Sequence, residues 1–229
     1  MRLLVCSSLI FLCLWSTLSS ASDTAEFFPK PTVKEFLFYH LARRFDLITA
    51  SKNIPQKMQR PAYRDISLEP LGIKANNVTL LLGIQPNHHL AKKLLKQASN
   101  AQQQLTLVSI LAPFEAEHTS KLIPPESIMI INGKDNEGLT PEAITSGVKA
   151  LHQAITQGNT LVYLHCKSGI GRSLSIFSAY LIEKTGMSLE RALLWAKALR
   201  PHTQINSPKN CHYKALQSWQ ESLVPQARN

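Results

Sequence analysis

Two hydrophobic periods run along this chain. In "TVKEFLFYHLARRFDLI" the residues Val33, Phe36, Leu37, Leu41, Phe45 and Ile48 share one face of a 3.6-residue repeat, which predicts a helix. The polar, proline-containing stretch of about 50–77 reads as loop. "NVTLLLGIQP" then predicts a strand and a turn, "NHHLAKKLLKQASNA" a helix, "LTLVSIL" a second strand and "SIMIING" a third. After the polar "KDNEG", the run "TPEAITSGVKALHQAITQGN" predicts a helix with Thr140 as N-cap, Pro141 at its first position and an apolar stripe of Ile144, Val148, Leu151 and Ile155. Thr160-Leu161-Val162-Tyr163-Leu164 is apolar and partly β-branched, the pattern of a buried strand. "RSLSIFSAYLIEKTG" sets Leu174, Phe177 and Leu181 at helical spacing and stops at Gly186. "MSLERALLWAKAL" and "KNCHYKALQSWQESL" add two helices. Strands alternating with helices predict an α/β fold, a central and mostly parallel sheet flanked by helices.

The first residues stand apart from this pattern. Met1-Arg2 precedes the apolar "LLVCSSLIFLCLW" and the small residues of "STLSSASD", with a small-x-small site near Ala21. A basic start, a short apolar run and small residues at a cleavage site predict a secretory signal peptide over residues 1–21. The run is too short to span a bilayer comfortably. The expected organisation is therefore signal 1–21, an extension with one helix over 22–60, and the main domain over 61–229. The expected destination is export, to the periplasm or outside the cell. Cys6 and Cys13 would leave with the signal, and Cys166 and Cys211 would remain. Those two could pair, but they make no disulfide framework.

Composition narrows the partners more than the fold. A formal charge of +10 over 229 residues favours anionic ones, phosphorylated ligands or the surface of an acidic membrane. The densest basic spots, Lys92, Lys93 and Lys96 and the pair Arg43-Arg44, read as solvated helix faces. No nucleic-acid motif accompanies them, so no nucleic-acid partner is expected.

The candidate chemistry lies in "YLHCKSGIGRS", residues 163–173, between the last strand and the helix that follows it. Gly169 and Gly171 let a loop from Cys166 through Lys167, Ser168 and Ile170 to Arg172 curl so that successive N–H groups converge. Such a nest at a helix N-terminus is an anion site. Arg172 adds a planar fork suited to two phosphate oxygens. A binding loop has no need of a thiol at its base, whereas the same donors that hold phosphate also stabilise a thiolate. Cys166 is thus the candidate nucleophile, with Ser173 placed to hydrogen-bond its sulfur and help it leave. His165 reads as a buried histidine bonding the loop backbone. Lys167 suits either substrate phosphate or solvent equally. The leaving alcohol needs a proton from a separate segment. "NGKDNEGLTP" offers Asp135, with Glu137 as the fallback, on a loop at the same end of a parallel sheet. The spacing fits neither a nucleotide-binding GxxxxGK[ST] loop nor a zinc site nor CxxC redox chemistry. His88, His89, His202 and His212 read as surface or structural residues.

His165-Cys166-x5-Arg172-Ser173 resembles the signature of the cysteine-dependent protein tyrosine and dual-specificity phosphatases. The resemblance implies Cys166 as nucleophile, Arg172 as phosphate ligand and an upstream aspartate as general acid. Asp135, 31 residues before Cys166, stands at the separation usual for dual-specificity members. It implies no cofactor and no metal. "VTLLLGIQP", "LTLVSILAPFEAE", "AYRDI" and "SLERALLWAKALRPHTQINSPKN" look like segments of the mitochondrial-type family that dephosphorylates phosphatidylglycerophosphate. In that family an arginine usually stands where this chain has Ile170, which bears on the headgroup accepted. The resemblance implies a phosphorylated substrate: a phospholipid headgroup first, a phosphoprotein second, an inositol phosphate third. A non-catalytic phosphate-binding module is the rival, but cysteine, arginine and acid are all in place.

Overall fold

A computed structural model of the chain describes residues 62–134 and 137–223. The expected signal segment, the expected helix over 33–48 and Asp135 lie outside the described residues. Five strands, β1 (Tyr63–Ile66), β2 (Val78–Gly83), β3 (Gln104–Leu111), β4 (Ile128–Asn132) and β5 (Thr160–His165), form one sheet in the order β1-β2-β5-β3-β4. β2, β5, β3 and β4 run parallel, and β1 pairs antiparallel with β2 at the edge. Six helices surround the sheet: α1 (His88–Asn100), α2 (Pro113–Ser120), α3 (Pro141–Thr156), α4 (Arg172–Thr185), α5 (Leu189–Leu199) and α6 (Cys211–Leu223).

The central strand shows why the sheet is parallel and covered on both sides. All six residues of β5 are buried, as expected of a strand with helices on both faces. Its side chains alternate between two cores. Leu161 and Tyr163 join Leu81, Leu105 and Leu107 beneath α1, while Val162 and Leu164 join Leu80, Leu82 and Ile110 beneath α3 and α4. The stripe Ile144, Val148, Leu151 and Ile155 of α3 is buried in the second core, with Thr140 capping the helix through the Ala143 N–H. α4 is buried from Arg172 to Ile182, so it runs through the core rather than over it. Its C-terminus ends on Gly186 at φ 69°, a left-handed cap.

Two local expectations change. The stretch of about 50–77 contains β1 and a 3₁₀ turn at Glu69–Leu71 instead of loop alone. Only Ile66 of β1 is buried, so no alternating pattern announces it; pairing with Leu80–Gly83 makes it a strand. "APFEAE", for which the pattern predicts no element, forms the start of α2. Pro113 opens the helix, and the Glu115 carboxylate accepts the Ala112 N–H at 3.0 Å.

Candidate active site

The loops that follow β2, β3, β4 and β5 gather at the C-terminal ends of the parallel strands. Cys166 stands directly after β5, and Arg172 opens α4. Between them Gly169 adopts φ +66°, a conformation that favours glycine. A β-carbon there would also sit 2.6 Å from the Gly83 carbonyl oxygen. The loop is held from two sides. The Gln85 N–H donates to the Lys167 carbonyl at 3.1 Å, and the buried Thr203 hydroxyl donates to the Ile170 carbonyl at 2.6 Å. Gly171, at the N-cap of α4, offers no side chain to the first N–H groups, and a helix N-terminus of this kind suits an anion. The Cys166 sulfur is buried and lies 3.4 Å from the Ser173 hydroxyl.

Arg172 is among the largest fully buried side chains. Its Nη1 donates to Glu115 Oε2 at 2.7 Å and to the Gly133 carbonyl at 2.7 Å, and its Nη2 reaches Glu115 Oε1 at 3.4 Å. Burial by itself would raise the Glu115 carboxyl. Hydrogen bonds from Arg172 and the Ala112 N–H, with the charges of Arg172 and Lys167, outweigh it and hold the group below the ordinary carboxylate range. Lys167 is half-exposed, and its Nζ lies 3.6 Å from Glu115 Oε1. Its ammonium is thus tied into the same ion-pair network. A buried guanidinium with a bidentate carboxylate and a carbonyl has its plane fixed before any ligand arrives.

His165 is fully buried. Its Nε2 lies 2.8 Å from the Ser109 hydroxyl and its Nδ1 3.4 Å from the Cys166 carbonyl. Burial, with a smaller push from the Arg172 charge, carries its pKa down to about 4 despite the bond to Cys166. The ring is therefore neutral at ordinary pH and props β5 and the loop against β3, the structural part expected of it.

Cys166, Lys167, Ser168, Gly169, Ile170, Gly171, Arg172 and Ser173 thus form one continuous loop and helix start, with Ser168 exposed. Asp135 is outside the described residues. Gly133, two residues before it, accepts from Arg172. Glu137 is solvent-facing and pairs with Lys134 at 3.7 Å. Cys166 and Cys211 form no disulfide with each other. Among the described residues no cluster of His, Cys, Asp or Glu could hold a metal ion.

Sequence reasoning missed the residues that support the loop. Glu115 carried a signal, an acid just past the end of a strand, but its partner is 57 residues away. Gln85 donates to the Glu115 carbonyl at 2.7 Å and to Thr119 Oγ1 at 3.1 Å. The buried Arg200 donates to the Leu82 carbonyl at 3.0 Å. His212, read as surface or structural, lays its ring against Gly171. None of these contacts leaves a local pattern.

Comparison with known proteins agrees with this geometry. Residues 89–222 match the family described as Dual specificity phosphatase, catalytic domain. Over 64 residues the chain is 38% identical to the phosphatidylglycerophosphate phosphatase PTPMT1 of Arabidopsis thaliana, a match covering 28% of this chain and 19% of that protein. Over 78 residues it is 32% identical to mouse dual specificity phosphatase 28, covering 34% of this chain and 45% of the relative. The chain therefore spans less than half the length of these relatives. The fold is similar to that of kinase associated phosphatase, with TM-score 0.55 and 15% identity over 73% of this chain and 98% of the other. It is also similar to Tk-PTP in its active form, with TM-score 0.51 and 17% identity over 70% and 97%.

Proposed function

The chain belongs to the dual specificity phosphatase catalytic-domain family, and from that premise we propose that it hydrolyses phosphomonoesters through a phosphocysteine intermediate. The observation that carries this reading is one loop that joins a buried thiol, a hydroxyl 3.4 Å from its sulfur, and an arginine locked by Glu115. The Cys166 thiolate attacks phosphorus, and the bond from phosphorus to the leaving oxygen breaks. Asp135 gives its proton to that oxygen. Asp135 then takes a proton from water, which attacks the phosphocysteine and releases inorganic phosphate while the sulfur departs as thiolate. The Ser173 hydroxyl stabilises that thiolate, and Arg172 with the loop amides stabilises the equatorial oxygens.

For the substrate we propose a phospholipid headgroup. Support comes from the similarity to phosphatidylglycerophosphate phosphatases of Arabidopsis thaliana and from the +10 formal charge, which favours an anionic membrane surface. The similarity to protein tyrosine and dual specificity protein phosphatases favours a phosphoprotein as the second reading. Export, as periplasmic or secreted protein, is proposed from the leader-like pattern of residues 1–21.

The test is phosphate release by the purified chain under reducing conditions with EDTA. Its substrates are phosphatidylglycerophosphate, phosphoinositides, phosphopeptides and inositol hexakisphosphate, with Cys166→Ser in parallel. Strong release from the lipids that the substitution abolishes supports the reading. Release from phosphopeptides alone moves the substrate to protein. Binding of phosphate analogues without any turnover overturns the enzyme reading in favour of a binding module.

A further inference from the structure

The first turn of α6 touches two loops of the site at once, and each contact has a glycine on the far side. A β-carbon on Gly138, three residues past Asp135, would lie 2.7 Å from the Cys211 carbonyl oxygen and 3.0 Å from the Ala215 β-carbon. A β-carbon on Gly171 would overlap Nε2 of His212, with Cδ2 at 2.8 Å and Cε1 at 3.1 Å. Neither glycine is among those with positive φ. Close approach excludes a side chain at both positions.

The turn that makes these contacts is itself anchored. The His212 N–H donates to Asn210 Oδ1 at 2.9 Å. Ala215, Leu216 and Trp219 are buried in the core, and the Trp219 indole donates to Thr145 Oγ1 of α3 at 3.1 Å. The segment leading into the helix also grips the phosphate loop, through Thr203 and the Ile170 carbonyl at 2.6 Å. The segment from Thr203 into α6 therefore borders both the phosphate loop and the loop that carries Gly138.

We propose that the first turn of α6 is a spacer that sets the distance between these two loops, with His212 a positioning residue for protonation of the leaving group. The inference rests on the reading of Asp135 as general acid. Proton transfer needs donor and leaving oxygen within hydrogen-bond reach, and a misplacement of about 1 Å can cost on the order of 100-fold. His212 acts by keeping α6 at its set depth against Gly171, and with it the contact of Cys211 against Gly138.

The test is the leaving-group dependence of kcat/KM on the full chain, from dinitrophenyl phosphate, whose leaving group needs no proton, to phenyl phosphate, whose leaving group does. His212→Ala is expected to lower the first by less than about threefold and the second by roughly 10- to 100-fold. Inhibition by orthovanadate, which reads the phosphate loop alone, is expected to weaken by no more than about threefold, as on the first substrate. His212→Gln, which keeps most of the volume, is expected to recover most of the loss and serves if the alanine variant does not fold. An equal loss on both substrates, or none on either, overturns the spacer. Asp135→Asn separates the two claims. If it shows no leaving-group dependence, the acid assignment fails and the inference with it. If it shows a steep one while His212→Ala does not, only the spacer fails.

Discussion

The two ends of the central sheet differ in what they bury. At the C-terminal ends of β2, β3, β4 and β5 the buried groups are polar and charged: Ser109, Glu115, His165, Arg172, Ser173 and Thr203, tied to one another and to the phosphate loop. At the other end, around the start of β2, lies a cavity of about 810 Å³ lined by residues such as Asp65, Glu69, Lys74, Asn77 and Gln103. Those five side chains are exposed or half-exposed. The cavity at this end therefore has the lesser chemistry. Buried polar groups each need a partner, and a set of them held around one loop is costly to build without a use. A wide opening lined by solvated side chains needs no such investment, so volume alone is a poor guide to the site.

The comparison can be broken by substitution at either end, and the largest effects belong to the first. Cys166→Ser is expected to lower kcat by about 10⁴-fold or more while orthovanadate still binds, because the loop amides and Arg172 remain. Asp135→Asn is expected to cost about 10²- to 10⁴-fold on phosphates with poorly acidic leaving groups, as measured by steady-state kinetics. Glu115→Ala leaves the Arg172 guanidinium buried without its carboxylate. Breaking such a pair from one side costs about 3–5 kcal/mol, to be read from urea unfolding alongside a fall in activity.

A pH titration of stability sharpens the same contrast. His165 has its pKa depressed to about 4 in the folded chain, from an ordinary 6.5. The unfolded state therefore binds the extra proton between these values. The contribution of the neutral ring is complete above about pH 6.5 and is lost as pH falls towards 4, by on the order of 3 kcal/mol. Glu115, also depressed, adds its loss at lower pH, as the carboxylate is protonated through its folded pKa. In urea unfolding curves His165→Asn should flatten the first window and leave the second. The smallest effect is expected at the far end. Lys74→Gln in the cavity lining should change stability by less than about 0.5 kcal/mol and leave kcat/KM unaltered. A large loss of activity there would end the distinction between the two regions.

What the sequence alone could show follows from how local each cause is. The stripe of α3, its Thr140 cap and the β5 run are written in consecutive residues, and so is the whole loop from Cys166 to Ser173. The loop needs a strand to end, two glycines to turn and a helix to begin, all within eleven residues. β1 was not legible because a four-residue edge strand with one buried side chain has no period to read. Glu115 and Thr203 were not legible as site residues because their partners, Arg172 and Ile170, are far off in sequence and meet them only when the sheet orders its strands β2-β5-β3. His212 illustrates the limit most plainly. A lone histidine in a helix reads as surface or structural, and only the fold shows that a glycine in the phosphate loop makes room for it.

The most direct test of the account is to look for the phosphoryl group on Cys166. The chain would be mixed with a turning-over phosphomonoester, quenched in acid within one turnover, and analysed by peptide mass spectrometry. The account predicts a phosphoryl adduct on the peptide containing Cys166 that forms before phosphate is released and is absent in Cys166→Ser. Steady phosphate release with no adduct on that peptide, or release that persists in Cys166→Ser, would contradict it.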